Sequence, residues 1–279
     1  MEIQKQPPID IIELFPWLDE KLLTLLRSLT PEQWQCQTIA KLWKVKDVVA
    51  HLLDGNIRIL SMLRDGYAGE KPERFDYDSM VDYLNRLNAD WVKAMKRVSP
   101  EMLIFLHEMT GHLHWEYYAS LDPFGPSPFA VDWAGETESR NWMHIAREYT
   151  EKWLHQQQIR DAVGNEELMT REFFYPCMDI FTLALPHRYR QTTAPEGTVF
   201  RLTIPGEAGG SWNLLRKEEK WQLDKNKNLQ PDSELIIDAN LAWKLFSKSL
   251  RPGDLGDKVS VNGDPGLAVP ALNMVTVMA

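Results

Sequence analysis

The sequence predicts an α+β protein in two parts, a helical bundle over residues 1–167 followed by a small α/β domain over residues 168–279. Up to Gly164, apolar residues recur at three- and four-residue spacing in one segment after another. From Thr198 onward, short β-type runs separated by turn residues replace them. The change falls at residues 165–170, and 279 residues suffice for two modest domains with real cores.

Taken in order, residues 9–29 place Ile12, Phe15, Leu18, Leu22, Leu25 and Leu29 on one helix face, with Pro16 marking its start or a bend. Thr30-Pro31-Glu32-Gln33 reads as a cap with proline at the first helical position, opening a short turn around Trp34. Residues 44–67 form a second helix through Val45, Val48, Val49, Leu52, Leu53, Leu60 and Leu63, with Gly66 near its end and His51 on the flank of the apolar face. Taken alone, His51 reads as a packed or surface residue. Residues 75–98 give a third helix, and Ser99-Pro100-Glu101 starts a fourth that runs to Leu121. His107, His112 and His114 lie on it, and the last two, two residues apart, point in different directions, so all three are expected to be core or surface groups. Residues 122–135, DPFGPSPFAVDWAG, have the composition of an ordered irregular loop. Its aromatics Phe124, Phe129 and Trp133 either plug a bundle end or wall a pocket.

Residues 168–189 keep helical stretches. Strands are expected in TVFRLTI, SWNLL, KWQLD, ELIID and KVSVNGD, with PGEAGG and KNKN as turns, and helices over residues 239–250 and 265–278.

A net charge of −9 spread along the chain argues against nucleic acid or an anionic membrane surface as partner. No apolar run approaches the roughly 20 residues needed to span a bilayer, and MEIQKQPPID reads as a mature start. Cys36 and Cys177 are far apart and lack a CxxC partner, which suits a reducing cytoplasm and marks both as small buried hydrophobes.

The chemistry concentrates in residues 142–164, WMHIAREYTEKWLHQQQIRDAVG. Helical spacing puts His144, Glu148, Glu151 and His155 on one stripe, and two imidazoles with two carboxylates can bind metal. His144 and His155 stand about 16 Å apart along a helix and cannot share an ion. Glu151 and His155, one turn apart, can share one if a third ligand comes from elsewhere. Periodicity points the other way: Trp142, Ile145, Ala146, Tyr149 and Trp153 define the apolar face, and the His/Glu stripe lies nearly opposite, in solvent. Ile159 and Ala162 continue the stripe side, however, so the last turns can bury the face of Glu151 and His155.

The phrase WAGETESRNWMHIAREYTEKWLHQQQIRDAVG, with LWKVKDVVAHL upstream, resembles the mycothiol-dependent maleylpyruvate isomerase family. Its motifs are a tryptophan before a VxDVVAHL helix, a DP…WAGE loop and an E-x-W-x-H…IR…A-x-G helix. The likeness covers most of residues 30–165, and PHRYR, PGEAGGSW and VNGDPGLA are more loosely similar to the family's C-terminal part. The resemblance implies a DinB-like metal-binding four-helix bundle followed by a sterol-carrier-like α/β domain. It also implies a metal triad of His51, Glu151 and His155, with zinc as the first choice of divalent metal. His144 and Glu148 fall outside that ligand set and read as structural or supporting. Gln158 stands where the family commonly has aspartate, which puts metal affinity or substrate choice in question.

The implied chemistry is activation of a low-molecular-weight thiol, mycothiol or an analogue, as a metal-bound thiolate that attacks a small electrophile. Addition to maleylpyruvate, rotation and elimination give isomerisation; other electrophiles give S-transfer. Neither cysteine lies in a family motif, so the thiol is supplied from outside. Arg188, Arg190, Arg201 and Arg251 are able to hold a carboxylate, with exposed salt bridging as the plainer role. Two other functions compete: a non-catalytic binder of metal or an apolar ligand, and a metal-dependent hydrolase of a small substrate.

Overall fold

Apolar spacing, caps and prolines set the helices of the first half, and a computed structural model describes residues 7–74 and 76–277. Phe75 of the third expected helix, the first six residues and Met278 of the last expected helix lie outside the described residues. The chain divides into two compact units. Among the described residues, one gathers those up to Gly125 with Glu151–Glu167, and the other Pro126–Thr150 with Leu168–Val277.

In the first unit, α1 (Leu14–Ser28) carries Pro16 in its first turn, where no intrahelical donor is lost. Thr30 and Gln33 then exchange hydrogen bonds, the side-chain oxygen of each accepting from the backbone N–H of the other (2.9 and 3.3 Å), and open a short 3₁₀ turn around buried Trp34. Helix α2 (Val45–Ile59) widens into a π turn over Leu60–Arg64, and Gly66 follows at φ +71°. Helix α3 (Tyr77–Met95) is capped by Asp76 and α4 (Pro100–Ala119) by Ser99, with proline at its first position. Packed neighbours are α1 with α4, α4 with α2, and α2 with α3. Their core holds Leu22, Leu25, Leu26, Val48, Val49, Leu53 and Leu103, joined by Ile159 of α5 (Asn141–Val163).

Helix α5 passes from the second unit into the first at residues 150–151 and ends at Gly164, φ +71°. Its side chains are buried or half-buried on every side, from Asn141 to Val163. The expected solvated stripe is therefore not there: His144 is 0% exposed and Glu148 9%. A single-face projection assumes one side in water, and this helix is enclosed, with many of its polar groups bonded to neighbours, among them Lys152, Gln156 and Arg160.

The second unit is built on a five-stranded mixed sheet in the order β3-β2-β1-β4-β5. Its strands are β1 (Val199–Ile204), β2 (Gly210–Lys217), β3 (Lys220–Asp224), β4 (Ser233–Ile237) and β5 (Val259–Gly263). Only β1 and β4 run parallel. The register aligns Phe200, Leu202, Trp212, Leu214, Leu235 and Ile237 on one buried face. Helices α6 (Phe174–Thr182), α7 (Leu185–Arg188), α8 (Ala239–Phe246) and α9 (Pro265–Leu272) complete it. From α6, Tyr175 stacks on Trp212 at 5.4 Å and Asp179 accepts from the Trp212 indole N–H at 2.8 Å. The last helix ends at Leu272, earlier than expected, because the 273–277 segment turns back to hydrogen-bond Thr276 to the Phe246 carbonyl.

Candidate metal centre

Helix α2 begins where the Asp47 carboxylate accepts from the Lys44 backbone N–H (3.1 Å) and pairs with Lys96 (2.7 Å), a first-turn anion that suits the positive helix end. Its valines and leucines turn to the core, which leaves His51 on the flank. Just before the helix, the Trp43 carbonyl accepts hydrogen bonds from the Thr38 N–H, the Thr38 hydroxyl and the Gln37 amide. The turn tied in this way lays the Trp43 indole 4.7 Å from the His51 ring, centroid to centroid.

His155 arrives from α5 and meets His51 edge-on, with ring centroids 4.5 Å apart at 80° and Trp43 at 6.4 Å. One turn back, Glu151 Oε2 stands 3.4 Å from His155 Nε2. At the other ring nitrogen, His155 Nδ1 donates to the Gln158 side-chain oxygen at 2.9 Å, since an amide oxygen can only accept. That bond turns Nε2 toward Glu151. His51 Nδ1 is buried and has no hydrogen-bond partner. Burial above all, then His155 and Arg58, push the His51 pKa well below the ordinary imidazole range, so its ring is neutral and has a lone pair to give.

The fold thus gathers His51, Glu151 and His155 from two helices. It does not close them: among the described residues no three His, Cys, Asp or Glu side chains converge closely enough to hold an ion as they stand. In chemistry the set fits a divalent metal. An orphaned buried imidazole nitrogen, a second imidazole with its proton held on the far nitrogen, and a carboxylate one turn away are donors that a zinc-type ion takes. Gln158, 5% exposed, holds the His155 Nδ1 side of the ring through its amide oxygen.

His144 and Glu148 belong to the other unit. Arg147 bridges them, donating to His144 Nδ1 at 3.0 Å and to Glu148 Oε1 at 2.7 Å, and Phe129 of the loop meets the His144 ring edge-on at 6.0 Å. Burial, reinforced by Arg147, lowers the His144 pKa to about 3. On α4, His107 is buried against the Val49 carbonyl (2.9 Å), His114 is buried beside Phe15 and Tyr118, and His112 is exposed. Cys177 is buried and Cys36 half-buried, and neither is in a disulfide. The expected salt bridging of the C-terminal arginines is replaced by main-chain contacts: Arg188, Arg190 and Arg201 donate to the carbonyls of Pro270, His187 and Leu229. Arg251 contributes its backbone N–H to Asp254. Trp43 is a site residue that spacing could not reveal, because its contact with His155 forms only on folding; Gln158, three residues after His155 on the same helix, lies within the reach of helical spacing.

The sequence profile of the mycothiol maleylpyruvate isomerase N-terminal domain matches residues 17–160, more than half of the chain and a span that contains His51, Glu151 and His155. The chain belongs to the mycothiol maleylpyruvate isomerase family. Its fold is similar to crystal structures of the mycothiol-dependent maleylpyruvate isomerase and of a histidine-to-alanine variant of it. These are 11% and 10% identical, cover 90% of this chain and 91% of their own, and give a TM-score of 0.53, a likeness of fold alone. The sterol carrier protein domain 2 of Helicoverpa armigera aligns over 38% of this chain and 84% of its own, 22% identical, at a TM-score of 0.24. No curated protein matches. At 90% coverage the likeness takes in both the helices and the mixed sheet. No helix of the described residues is long and apolar enough to cross a membrane.

Proposed function

We propose that the protein is a divalent-metal-dependent enzyme that uses a low-molecular-weight thiol, mycothiol or an analogue, to isomerise a maleylpyruvate-type substrate or to conjugate a small electrophile. The observation that supports this most is the His51–His155 ring contact beside Glu151, with the orphaned Nδ1 at His51. His51, Glu151 and His155 would hold the metal, zinc by preference, since two imidazoles and one carboxylate leave coordination positions open. A dication there supplies the charge that keeps a thiol, with a free pKa of about 8.5, as thiolate at neutral pH.

The chain's own residues do the rest. Gln158 keeps the His155 proton on Nδ1 and aims Nε2. Trp43 covers the imidazole pair on one side and keeps water from it. Burial keeps His51 unprotonated and therefore a donor. On this reading residues 1–167 carry the thiol chemistry, residues 168–279 form the accessory α/β part, and the partners are a small thiol and a small electrophile in a reducing cytoplasm.

Elemental analysis of the purified protein tests it. About one zinc-type ion per chain is expected, lost in both His51→Ala and His155→Ala; full retention by either variant overturns the triad. A companion assay omits the thiol: turnover must stop, and turnover that continued would assign metal-activated water instead.

A further inference from the structure

Large apolar side chains reach the surface singly along most of the chain: among the described residues Trp17, Leu42, Tyr67, Phe129 and Val269 each stand apart in sequence, as is normal for a protein surface. Helix α4 is different. Met102, Phe105 and Met109 are 48%, 50% and 50% exposed and lie three and four residues apart, so they form one stripe on the side of the helix that faces away from the core. Its inward side holds Leu103 and Tyr118, so α4 is apolar on two sides. A helix of that kind is expected to be enclosed. The outer side of α3 shows the ordinary alternative, with Asp82, Asn85, Arg86, Asp90 and Lys93 exposed.

The stripe continues through His112 and Glu116, both exposed, at the three-four spacing of a coiled-coil seam. Its two ends carry opposite charge. Arg97, exposed just ahead of the helix, and Glu116, in its last turn, make no ion pair or side-chain hydrogen bond among the described residues. Glu108, the acid nearest the middle, is already neutralised by Arg27 of α1. An identical stripe laid on this one in the opposite direction, with a two-fold axis level with His107, sets Phe105 against Met109, Met102 against His112 and Arg97 against Glu116, each contact made twice. Contacts of a thioether with an aromatic ring are favourable, and both loose charges gain a partner. Laid in the same direction, the stripes would set Arg97 on Arg97 and Glu116 on Glu116.

We propose that this face of α4 is the surface through which two copies of the chain associate, antiparallel and about a two-fold axis. The apolar centre of the stripe supplies the attraction, and the charged ends fix direction and register. One helix face per chain lies at the low end of interface sizes, below about 1,200 Å² in total, so a dimer in the micromolar range is expected and not an obligate pair. The contact uses none of His51, Glu151 and His155, so it stands or falls independently of the metal.

Sedimentation velocity of the full-length protein at about 1 to 500 μM is the test, and the mass is expected to rise from that of one chain toward that of two. Phe105→Glu sets an acid on the seam and is expected to weaken association at least about 10-fold. The thermal transition of the dilute protein stays where it was, because the side chain is exposed in the single chain. Arg97→Glu and Glu116→Arg are each expected to weaken association roughly 3- to 10-fold, since each sets like charges against one another at two symmetric contacts, and the double reversal to return within about 2-fold of the parent. The mass of one chain at every concentration overturns the proposal and leaves the stripe to a different protein. A dimer that Phe105→Glu leaves intact overturns it as well, because the copies then meet elsewhere. A double reversal no tighter than the weaker single overturns the antiparallel register.

Discussion

His107 and His144 are buried histidines of a different kind from His51, since each has a hydrogen-bond partner and neither belongs to the proposed ligand set. Their pKa values are lowered to about 4 and about 3, for His107 by burial first and then by Lys152, against the Val49 and Asp19 contacts that raise it. The unfolded chain takes up these protons first, at about pH 6.5. Stability is therefore full above that pH and falls as the pH drops toward the folded values, by about 1.4 kcal/mol per pH unit for each histidine. Urea unfolding at pH 7, 6 and 5 should show this slope, reduced by about one proton in His107→Gln; an unchanged slope would refute the assignment. At this scale the sequence was uneven. Glu151 and His155 were legible as a one-turn pair, but His51 became a candidate only through the motif around it. Trp43 owes its role to His155, far along the chain, which no spacing encodes, whereas Gln158 stands only three residues from His155 on the same helix.

Helix α5 was legible as a helix, with ends close to Trp142 and Gly164, but not in what surrounds it. Its polar residues cross-tie the bundle. Lys152 Nζ donates to Asp19 (3.0 Å) and to Asn56 (2.8 Å), and Asn56 donates to Thr110 (3.1 Å). A single-face projection reads such residues as solvent-facing because it assigns them no partners. Removing one member leaves a buried charge alone, so Lys152→Met is expected to cost about 3–5 kcal/mol, and Asp19→Leu combined with Lys152→Met distinctly less. Midpoints of chemical unfolding for the two singles and the double decide this; additive losses would mean that the pair is not coupled. The β2–β3 hairpin shows the same limit in miniature. Glu218 and Glu219 both take positive φ (53° and 59°), a turn usually signalled by Asn-Gly. Here Glu196 supports it by accepting from the Glu218 N–H at 2.9 Å.

For the chain as a whole, the change from helical to β-type spacing was plain in the sequence, but the affiliation of residues 126–150 was not. They group with residues 168–277: the Tyr149 hydroxyl donates to the Phe173 carbonyl at 2.8 Å, and a side chain at Gly135, φ +82°, would run into the His187 ring. A fragment ending at residue 167 strips that cover from Tyr149. It is expected to bind an apolar dye and to lose a sharp thermal transition that the full chain keeps; a cooperative transition in the fragment would count against this division. The π turn at Leu60–Arg64 has a consequence of its own. The Asp65 N–H reaches back to the Leu60 carbonyl, five residues away, where a regular α-turn spans four. In evolutionary terms such a turn stores one surplus residue. His51 precedes it, so shortening Ser61–Arg64 by one residue is expected to relax the turn to an ordinary helix. The chemistry upstream would keep its register, a route by which lengths can drift among relatives while a site stays in place.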